Sequence, residues 1–490
     1  MRNMLQRGRI VLSWLLMGAM VLTFAGIVAP VLPQWQVLPA LLAGNLLVIA
    51  VIIVLTLLLG RIYCSVLCPL GISQDFVFWL AKRRKKNRRK FTFRRERRIV
   101  RYSILMLTGL AFLAGLSGFV GLVDPYSIFG RIVHDGLGLP VAYGWNALVG
   151  VNESHGWIPV LSKTDILWPP LAAMALAGVY FVVLTVLAWR YGRVYCHTVC
   201  PVGTLLGTLS RFSLFRPVID GSRCIHCGAC EKTCRSSCID VAHGFVDASR
   251  CVDCFDCVAV CPKGALNFSR PLPVKLPEKA ASGEGLSRRE MLVATTVAIG
   301  TVAAGLARSQ TVVPALMGTG KGKKKILPPG SVSADAFAQR CTACHLCVSR
   351  CPSGVLVPAV LENGALQMGQ PYMDFSKGYC VYNCNFCSQA CPAGAIRPLE
   401  LAVKEKTKIG IARYAQFHCL IARDGIARDG IVCGNCARHC PVQAITLVEN
   451  KDGRSYPHVD GARCIGCGSC EYHCPAKPAA ISVSTLPKSS

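Results

Sequence analysis

Cysteines at a repeated spacing constrain the fold of this chain more than any other feature of its sequence. The pattern C-x₂-C-x₂-C-x₃-C occurs twice in close succession, first as Cys224, Cys227, Cys230 and Cys234, then as Cys251, Cys254, Cys257 and Cys261. Paired runs of this kind hold two 4Fe–4S clusters, because the fourth cysteine of each run crosses to the cluster of the other. The pattern therefore predicts one cluster on Cys224, Cys227, Cys230 and Cys261, and a second on Cys251, Cys254, Cys257 and Cys234.

One departure from the pattern leaves the fourth ligand of the second cluster open. Arg235 stands where proline usually follows the last cysteine of a run, whereas Pro262 does follow Cys261. Cys238 lies four residues beyond Cys234 and is an alternative ligand. The spacing favours Cys234.

A second group of cysteine runs occupies the C-terminal part of the chain, after a linker rich in Pro, Gly and Lys. The four runs comprise Cys341, Cys344, Cys347 and Cys351; Cys380, Cys384, Cys387 and Cys391; Cys419, Cys433, Cys436 and Cys440; and Cys464, Cys467, Cys470 and Cys474. Each run ends in C-x₃-C-P, so four runs predict four further clusters, six in all. By analogy with polyferredoxin subunits, we expect the two outer runs to pair with each other and the two inner runs likewise. Six clusters of four cysteines use 24 of the 29 cysteines.

The N-terminal half predicts a membrane domain. Mean hydropathy is +0.43 although the net charge is +28. Residues 10–32, 38–60, 99–123 and 167–189 are each long and apolar enough to cross a hydrocarbon core of about 30 Å. We therefore expect a membrane α-helical protein with two α+β ferredoxin-type modules. The expected domains are a four-helix membrane domain over 1–205, a two-cluster ferredoxin over 206–275, a linker over 276–333 and a four-cluster ferredoxin over 334–490.

Basic residues predict the orientation of this domain. Residues 82–98 contain twelve basic residues and one acidic residue. Such a segment between two spans is retained in the cytoplasm, which puts the first ferredoxin module there too. This position makes it a topology determinant rather than a nucleic-acid arm, so no nucleic-acid partner is expected. The spans contain no histidine, so no haem is expected either.

Two near-copies of one motif follow the second and fourth apolar segments. They read GRIYCSVLCPLG over residues 60–71 and GRVYCHTVCPVG over residues 192–203, with Cys64 and Cys68 in one copy and Cys196 and Cys200 in the other. A matched motif indicates an internal repeat. The four thiols could face one another and hold a metal or cluster, or react as a redox pair; the alternative is a structural role.

A twin arginine, Arg288-Arg289, opens the apolar stretch SRREMLVATTVAIGTVAAGLA over residues 287–307. Such a stretch is typical of signals that export folded, cofactor-loaded proteins. It predicts a fifth span and a periplasmic second module. The lysines at 321 and 323–325 disfavour export, so an amphipathic interdomain helix is the alternative.

With these motifs in view, residues 1–270 resemble NapH/MauN-type membrane ferredoxins, and residues 287–490 resemble NapG/MauM-type exported ferredoxins. The resemblance implies a fusion of the two in a bacterial inner membrane. It also implies a function, in which electrons pass from the quinol pool to a periplasmic oxidoreductase such as nitrate reductase. No molybdopterin, copper or haem motif is present, so the terminal reaction would belong to a partner. The alternative function is redox maturation, assembly or sensing with the same clusters, reducing a metal or thiol.

Overall fold

A computed structural model describes residues 2–83, 92–155, 163, 166, 168–270, 326–359, 367–421, 433–449 and 455–486. The chain divides into two units. The first combines Met1–Leu137 with Met174–Leu316, and the second combines Gly138–Ala173 with Met317–Ser490. The two cysteine motifs that follow apolar segments therefore share a unit with the first ferredoxin module.

Helices dominate the chain up to residue 210. In chain order they are α1 (Arg2–Phe24), α2 (Val37–Ala43), α3 (Leu46–Leu59), α4 (Ile62–Val66), α5 (Pro69–Arg83), α6 (Arg98–Leu113), α7 (Ser117–Val123), α8 (Pro125–Arg131), α9 (Gly138–His155), α10 (Leu171–Tyr191), α11 (Val194–Thr198) and α12 (Pro201–Ser210). Of these, α9 belongs to the second unit.

The expectation of four membrane spans is wrong. Among the described residues, two helical segments are long and apolar enough to cross a membrane, Met4–Phe24 and Leu171–Tyr191. The predicted span over 38–60 is broken at Gly44, whose left-handed φ of 72° ends α2. Asn45 then accepts a hydrogen bond from the Val48 N–H and starts α3. With 14 residues, α3 rises about 21 Å, which is short of the hydrocarbon thickness.

The predicted span over 99–123 is interrupted in the same way. Gly115 has a φ of 83° and separates α6 from α7. With its 16 residues, α6 rises about 24 Å, again too short to cross unaided. In both cases a glycine at positive φ redirects the chain, because this conformation is costly for other residues. The predicted fifth span, 287–307, lies outside the described residues.

The first ferredoxin module follows α12. Strand β1 (Arg216–Ile219) pairs antiparallel with β4 (Leu266–Ser269), and β2 (Ile239–Asp240) pairs with β3 (Phe245–Val246). Two short helices, α13 (Ala229–Thr233) and α14 (Asp256–Val260), each carry the third cysteine of one run, and the fourth cysteine follows directly after the helix. The core packs apolar side chains such as Ile239, Val258 and Leu266 directly against the cysteines.

The second module repeats this plan. Its helices are α15 (Ala334–Arg340), α16 (Leu346–Ser349), α17 (Phe386–Ala390), α18 (Leu401–Lys406), α19 (Asn435–Arg438) and α20 (Ser469–Tyr472). Its strands form antiparallel pairs, namely β5 (Leu356–Pro358) with β6 (Pro371–Met373), β7 (Ile411–Tyr414) with β10 (Ile481–Ser484), and β8 (Ile445–Glu449) with β9 (Ser455–Val459).

Candidate metal centres

One cavity of the first module is lined by the first predicted ligand set. Cys224, Cys227, Cys230 and Cys261 surround it, so the structure brings together three cysteines of one run and the crossing cysteine of the other. The Ala265 N–H donates to the Cys261 Sγ at 3.3 Å. Cys227 is exposed and the other three are half-buried, which leaves this cavity close to solvent.

The second cavity of this module is lined by five cysteines. The lining includes three cysteines of the second run, Cys251, Cys254 and Cys257, and also Cys234 and Cys238. The Sγ atom of Cys234 lies 3.5 Å from the Sγ atom of Cys238. All five are buried. Cys234 ends α13 with φ −68° and ψ 117°, and Cys261 ends α14 with φ −69° and ψ 113°. Cys234 therefore has the backbone geometry of the crossing cysteine in the other run, which favours it over Cys238.

Left-handed backbone conformations shape the cysteine loops. In the second run of the first module, Asp253 and Phe255 have φ of 50° and 61°. Ala343 and His345 occupy the same positions of the run that starts at Cys341, with φ of 56° and 62°. Residues other than glycine adopt this conformation at a cost of about 1–3 kcal/mol, which persists where a ligand site holds the backbone. These backbone conformations are typical of loops that curve around a bound group.

In the second module, consecutive runs pair. Three cavities of this module are each lined by four cysteines. The first is lined by Cys351, Cys380, Cys384 and Cys387, the second by Cys419, Cys433, Cys436 and Cys474, and the third by Cys440, Cys464, Cys467 and Cys470. The remaining set is Cys341, Cys344, Cys347 and Cys391, in which Cys347 lies within electrostatic range of the other three.

The expectation that outer runs pair with outer runs, and inner with inner, is therefore wrong. The first run shares its sites with the second, and the third shares its sites with the fourth. The physical reason is a short antiparallel pair between the partners: β5 and β6 connect the first two runs, and β8 and β9 connect the last two. A strand pair of this kind returns the chain to its starting point, which brings consecutive runs together.

The residues present fit 4Fe–4S clusters at these sites. Each cavity offers at least four cysteines in an apolar setting, and backbone N–H groups point at sulfur in several of them. For example, the Ala444 N–H donates to the Cys440 Sγ at 3.2 Å, and the Ala480 N–H donates to the Cys474 Sγ at 3.3 Å. Hydrogen bonds of this kind tune the potential of thiolate-ligated clusters.

The two repeated motifs bring four more thiols together. Cys64, Cys68, Cys196 and Cys200 are each 4% exposed. Cys68 lies within electrostatic range of Cys64 and Cys196, and Cys200 lies within range of the other three. The Gln74 Nε2 is 3.3 Å from the Cys196 Sγ, and the Gly203 N–H donates to the Cys200 Sγ at 3.2 Å. We call this set the four-thiol cluster.

Arginines of the same motifs reach across to the opposite copy, which sequence reasoning missed. The Arg61 Nη2 donates to the Cys196 carbonyl at 3.1 Å, and the Arg193 Nη1 donates to the Cys64 carbonyl at 2.7 Å. The Arg61 Nη2 also lies 3.6 Å from the Cys64 Sγ. The sequence did contain an indication of this role, since an arginine follows a glycine at the same position before the cysteines of both copies.

Asp75 joins this region to the first module. Its carboxylate contacts Arg9 at 3.0 Å, Arg193 at 2.7 Å and Arg235 at 2.7 Å. Arg235 also pairs with Asp256 at 2.7 Å. Burial raises the pKa of the Asp75 carboxyl, but the three guanidinium charges outweigh burial and hold that pKa well below its usual range. No spacing rule predicts a pairing between residues so far apart in sequence.

Lys404 is a second residue that the sequence did not single out. It is buried, and its Nζ donates to the Val381 and Tyr382 carbonyls, directly after Cys380. A cation is thus held beside one cysteine set of the second module. The residues of the twin-arginine stretch lie in an undescribed part of the chain.

Comparisons with known proteins find three matching 4Fe-4S family models. A family model described as a 4Fe-4S binding domain matches residues 41–88 and 171–219, which contain the two repeated motifs. A 4Fe-4S dicluster domain matches residues 431–477, and another 4Fe-4S binding domain matches residues 245–266. No solved structure matches the chain significantly.

The relatives of this chain include proteins of the MauM/NapG type and of the MauN type. The methylamine utilization ferredoxin-type protein MauM of Methylophilus methylotrophus is 35% identical over 161 residues, which is 31% of this chain and 68% of the relative. The ferredoxin-type protein NapG of Escherichia coli is 33% identical over 172 residues, which is 33% of this chain and 71% of the relative. MauN of Paracoccus denitrificans is 30% identical over 179 residues, which is 36% of this chain and 48% of the relative.

The matches to MauM and NapG cover more than two thirds of those proteins, whereas the chain spans about half the length of the MauN relative. The cysteine-lined cavities and the family models together make this an iron–sulfur electron-transfer protein. The chain belongs to the MauM/NapG family of ferredoxin-type proteins, and it combines this type with the MauN type in one polypeptide.

Proposed function

We propose that this chain takes electrons from the membrane quinol pool and passes them to a periplasmic oxidoreductase, as the electron-transfer component of a quinol dehydrogenase. The observation that carries the proposal is the packing of the first module on the two motifs that follow apolar helices α3 and α10. The Arg193 N–H donates to the Arg235 carbonyl at 3.0 Å, next to Cys234. The Arg61 Nη1 donates to the Ser249 carbonyl at 3.0 Å, close to Cys251.

The chain's own residues prepare the sites for electron transfer. A 4Fe–4S cluster, when bound, supplies reversible one-electron transfer. The cysteines hold it, and the apolar side chains around them exclude water. Backbone N–H groups aimed at sulfur stabilise the more reduced, more negative state. Sites at different depths, such as the buried second cavity and the more exposed first cavity, favour different potentials.

Exposed apolar side chains support membrane association. Large side chains on α10 such as Leu171, Val179 and Val182 are exposed, as are Leu12 and Leu15 on α1. Contiguous apolar surface on helices of this length is typical of lipid contact.

The basic segment and the first module lie on the same side of the membrane in this proposal. The Phe93 N–H donates to Glu231 at 2.7 Å, and the Arg94 N–H donates to the Ser237 carbonyl at 3.3 Å. Arg101 pairs with Glu96 at 3.0 Å and also donates to the Ser249 side chain. These contacts hold the end of the basic segment against the first module, so the two lie on one side of the membrane whatever the number of spans. The charge rule then favours the cytoplasm for both.

The second module acts on the periplasmic side in this proposal. The support is the twin arginine at Arg288-Arg289 and the relationship to NapG and MauM. The proposed acceptor is a periplasmic oxidoreductase such as nitrate reductase, and the relative MauM is named for methylamine utilization. The terminal chemistry belongs to that partner.

Quinol-dependent reduction tests the proposed donor. Membrane vesicles that contain the full-length protein would receive a reduced quinol analogue under anaerobic conditions, and cluster reduction would be followed by absorbance and EPR. We expect steady-state reduction in the wild type and its loss in a Cys254→Ser variant. Clusters that dithionite reduces but quinol does not would overturn the proposal and favour a maturation or sensing role.

A further inference from the structure

The four-thiol cluster is built jointly by the two motif copies. α4 and α5 carry one copy, and α11 and α12 carry the other. Each arginine donates to the carbonyl of the first cysteine in the opposite copy, as described above. Each final glycine packs on its own first cysteine: a Cβ on Gly71 would lie 2.3 Å from the Cys64 carbonyl oxygen, and one on Gly203 would lie 2.0 Å from that of Cys196. The two copies therefore form a reciprocal pair.

Neither copy can supply four thiolates by itself. The family matches over 41–88 and 171–219 are both described as 4Fe-4S binding, yet each stretch contains two cysteines. A cluster held by four cysteine thiolates needs ligands from both. The reciprocal packing brings those two pairs of buried thiols together.

The charges around the thiols call for an anionic group. Arg9, Arg61, Arg193 and Arg235 are buried, and the carboxylates that pair with them among the described residues are Asp75 and Asp256. A third buried carboxyl, that of Asp253, lies close to Arg61, so four guanidinium groups face three carboxyl groups in this buried region. Burying unbalanced charge is costly unless a partner is present.

Two of the guanidinium groups also have unused donors. The Nε of Arg61 and the Nη2 of Arg193 are buried and have no hydrogen-bond partner in the described part of the chain. Buried donors of this kind are rare in folded proteins unless another group accepts from them. A thiolate-ligated cluster provides both sulfur acceptors and negative charge. Four thiolates around a cluster core of charge +2 carry a net charge of −2, which would offset the excess of guanidinium charge.

We propose that Cys64, Cys68, Cys196 and Cys200 together hold one further iron–sulfur cluster, shared between the two motif copies, with Arg61 and Arg193 neutralising its charge. This cluster is distinct from the six predicted in the ferredoxin modules. It lies beside the cavity lined by Cys251 and Cys254, since Arg61 and Arg193 contact the module at Ser249 and Arg235. The proposal concerns ligation, so it holds or fails independently of the quinol reaction.

Metal content tests the shared cluster. The full-length protein would be purified anaerobically in detergent as wild type, Cys64→Ser and Cys196→Ser, with Ser65→Ala as a buried, thiol-free control from the same helix. We expect both cysteine variants to lose the same EPR or Mössbauer component and about four iron atoms and four sulfides per chain. The control should retain both. Neither substitution removes a ligand of the ferredoxin modules. The iron that those modules retain therefore reports whether the variant protein has folded.

Native mass spectrometry of the wild type alone avoids dependence on the variants. A mass corresponding to seven clusters supports the proposal, and a mass corresponding to six at full occupancy overturns it. Loss of zinc or copper, in place of iron and sulfide, from the cysteine variants would also overturn the iron–sulfur assignment. Unchanged metal content in both variants would return these thiols to a structural role.

Discussion

At the scale of single residues, Asp75 lies at the centre of a buried network of charges. Its side chain is 10% exposed and contacts three guanidinium groups, which come from α1, from the second motif copy and from the first module. One carboxylate thus joins three parts of the chain that are distant in sequence. The low pKa of this carboxyl means that it stays charged at any physiological pH.

Asp75→Asn should destabilise the first unit. Removing one partner of a buried charge network leaves the others unpaired, which costs about 3–5 kcal/mol. Hydrogen exchange of α5 and α12 should accelerate, and urea should unfold this unit at a lower concentration. Asp220→Asn is the control, because Asp220 pairs with Arg223 at an exposed site. Equal stability of Asp75→Asn and wild type would show that the network contributes nothing.

The same low pKa sets the expected acid response. The folded-state pKa of Asp75 is depressed below the unfolded value, so its stabilising effect is complete above the unfolded pKa of about 4 and is lost as the pH falls further. Between pH 5 and 8 we expect no change in stability from this group. A wild-type protein that loses hydrogen-exchange protection in α5 between pH 8 and 5 would contradict this.

The second cavity of the first module makes a residue-level prediction about ligation. Cys234 matches Cys261 in backbone geometry, so we expect Cys234→Ser to lose one cluster and Cys238→Ser to retain all of them. Iron and sulfide analysis after anaerobic purification measures both. The reverse result would assign Cys238 as the ligand.

At the scale of elements, glycines allow the short helices of the two motif copies to pack. Gly203 lies on α12, where an added Cβ would overlap the Cys196 carbonyl, and that backbone atom cannot swing aside. By contrast, Gly178 on α10 has nothing within 4 Å of an added Cβ.

Gly203→Ala should therefore destabilise the packing of α11 on α12. Overpacking of this kind costs roughly 1–3 kcal/mol. Gly178→Ala is the matched helical control and should leave stability unchanged or slightly increased. Thermal unfolding in detergent measures both, and equal midpoints for the two variants would exclude the predicted clash.

At the scale of the whole molecule, the proposed periplasmic location of the second module rests on Arg288-Arg289. Replacing both by lysine preserves charge, and it should abolish recognition by the twin-arginine route while leaving an ordinary interdomain helix undisturbed. Protease added to spheroplasts should digest residues 334–490 in the wild type and spare them in the double-lysine variant. Protection in both would put every cluster on the cytoplasmic side.

The sequence by itself determined the ligand chemistry, because it is local. A C-x₂-C-x₂-C spacing brings three thiols around one point whatever the rest of the chain does. The repeated motif likewise marked Cys64, Cys68, Cys196 and Cys200 as related positions. Family membership also followed from these patterns and was shown by the relatives.

Tertiary structure decided what depends on distant contacts. Hydropathy treated 38–60 and 99–123 as continuous helices, but Gly44 and Gly115 take left-handed conformations that interrupt them. Spacing could not say which runs share a cluster, since that depends on the strand pairs between them. The contacts of Arg61 with Cys196 and of Arg193 with Cys64 exist only once the two copies pack together. Such pairings depend on the burial of charge and on packing across the fold, which no local pattern records.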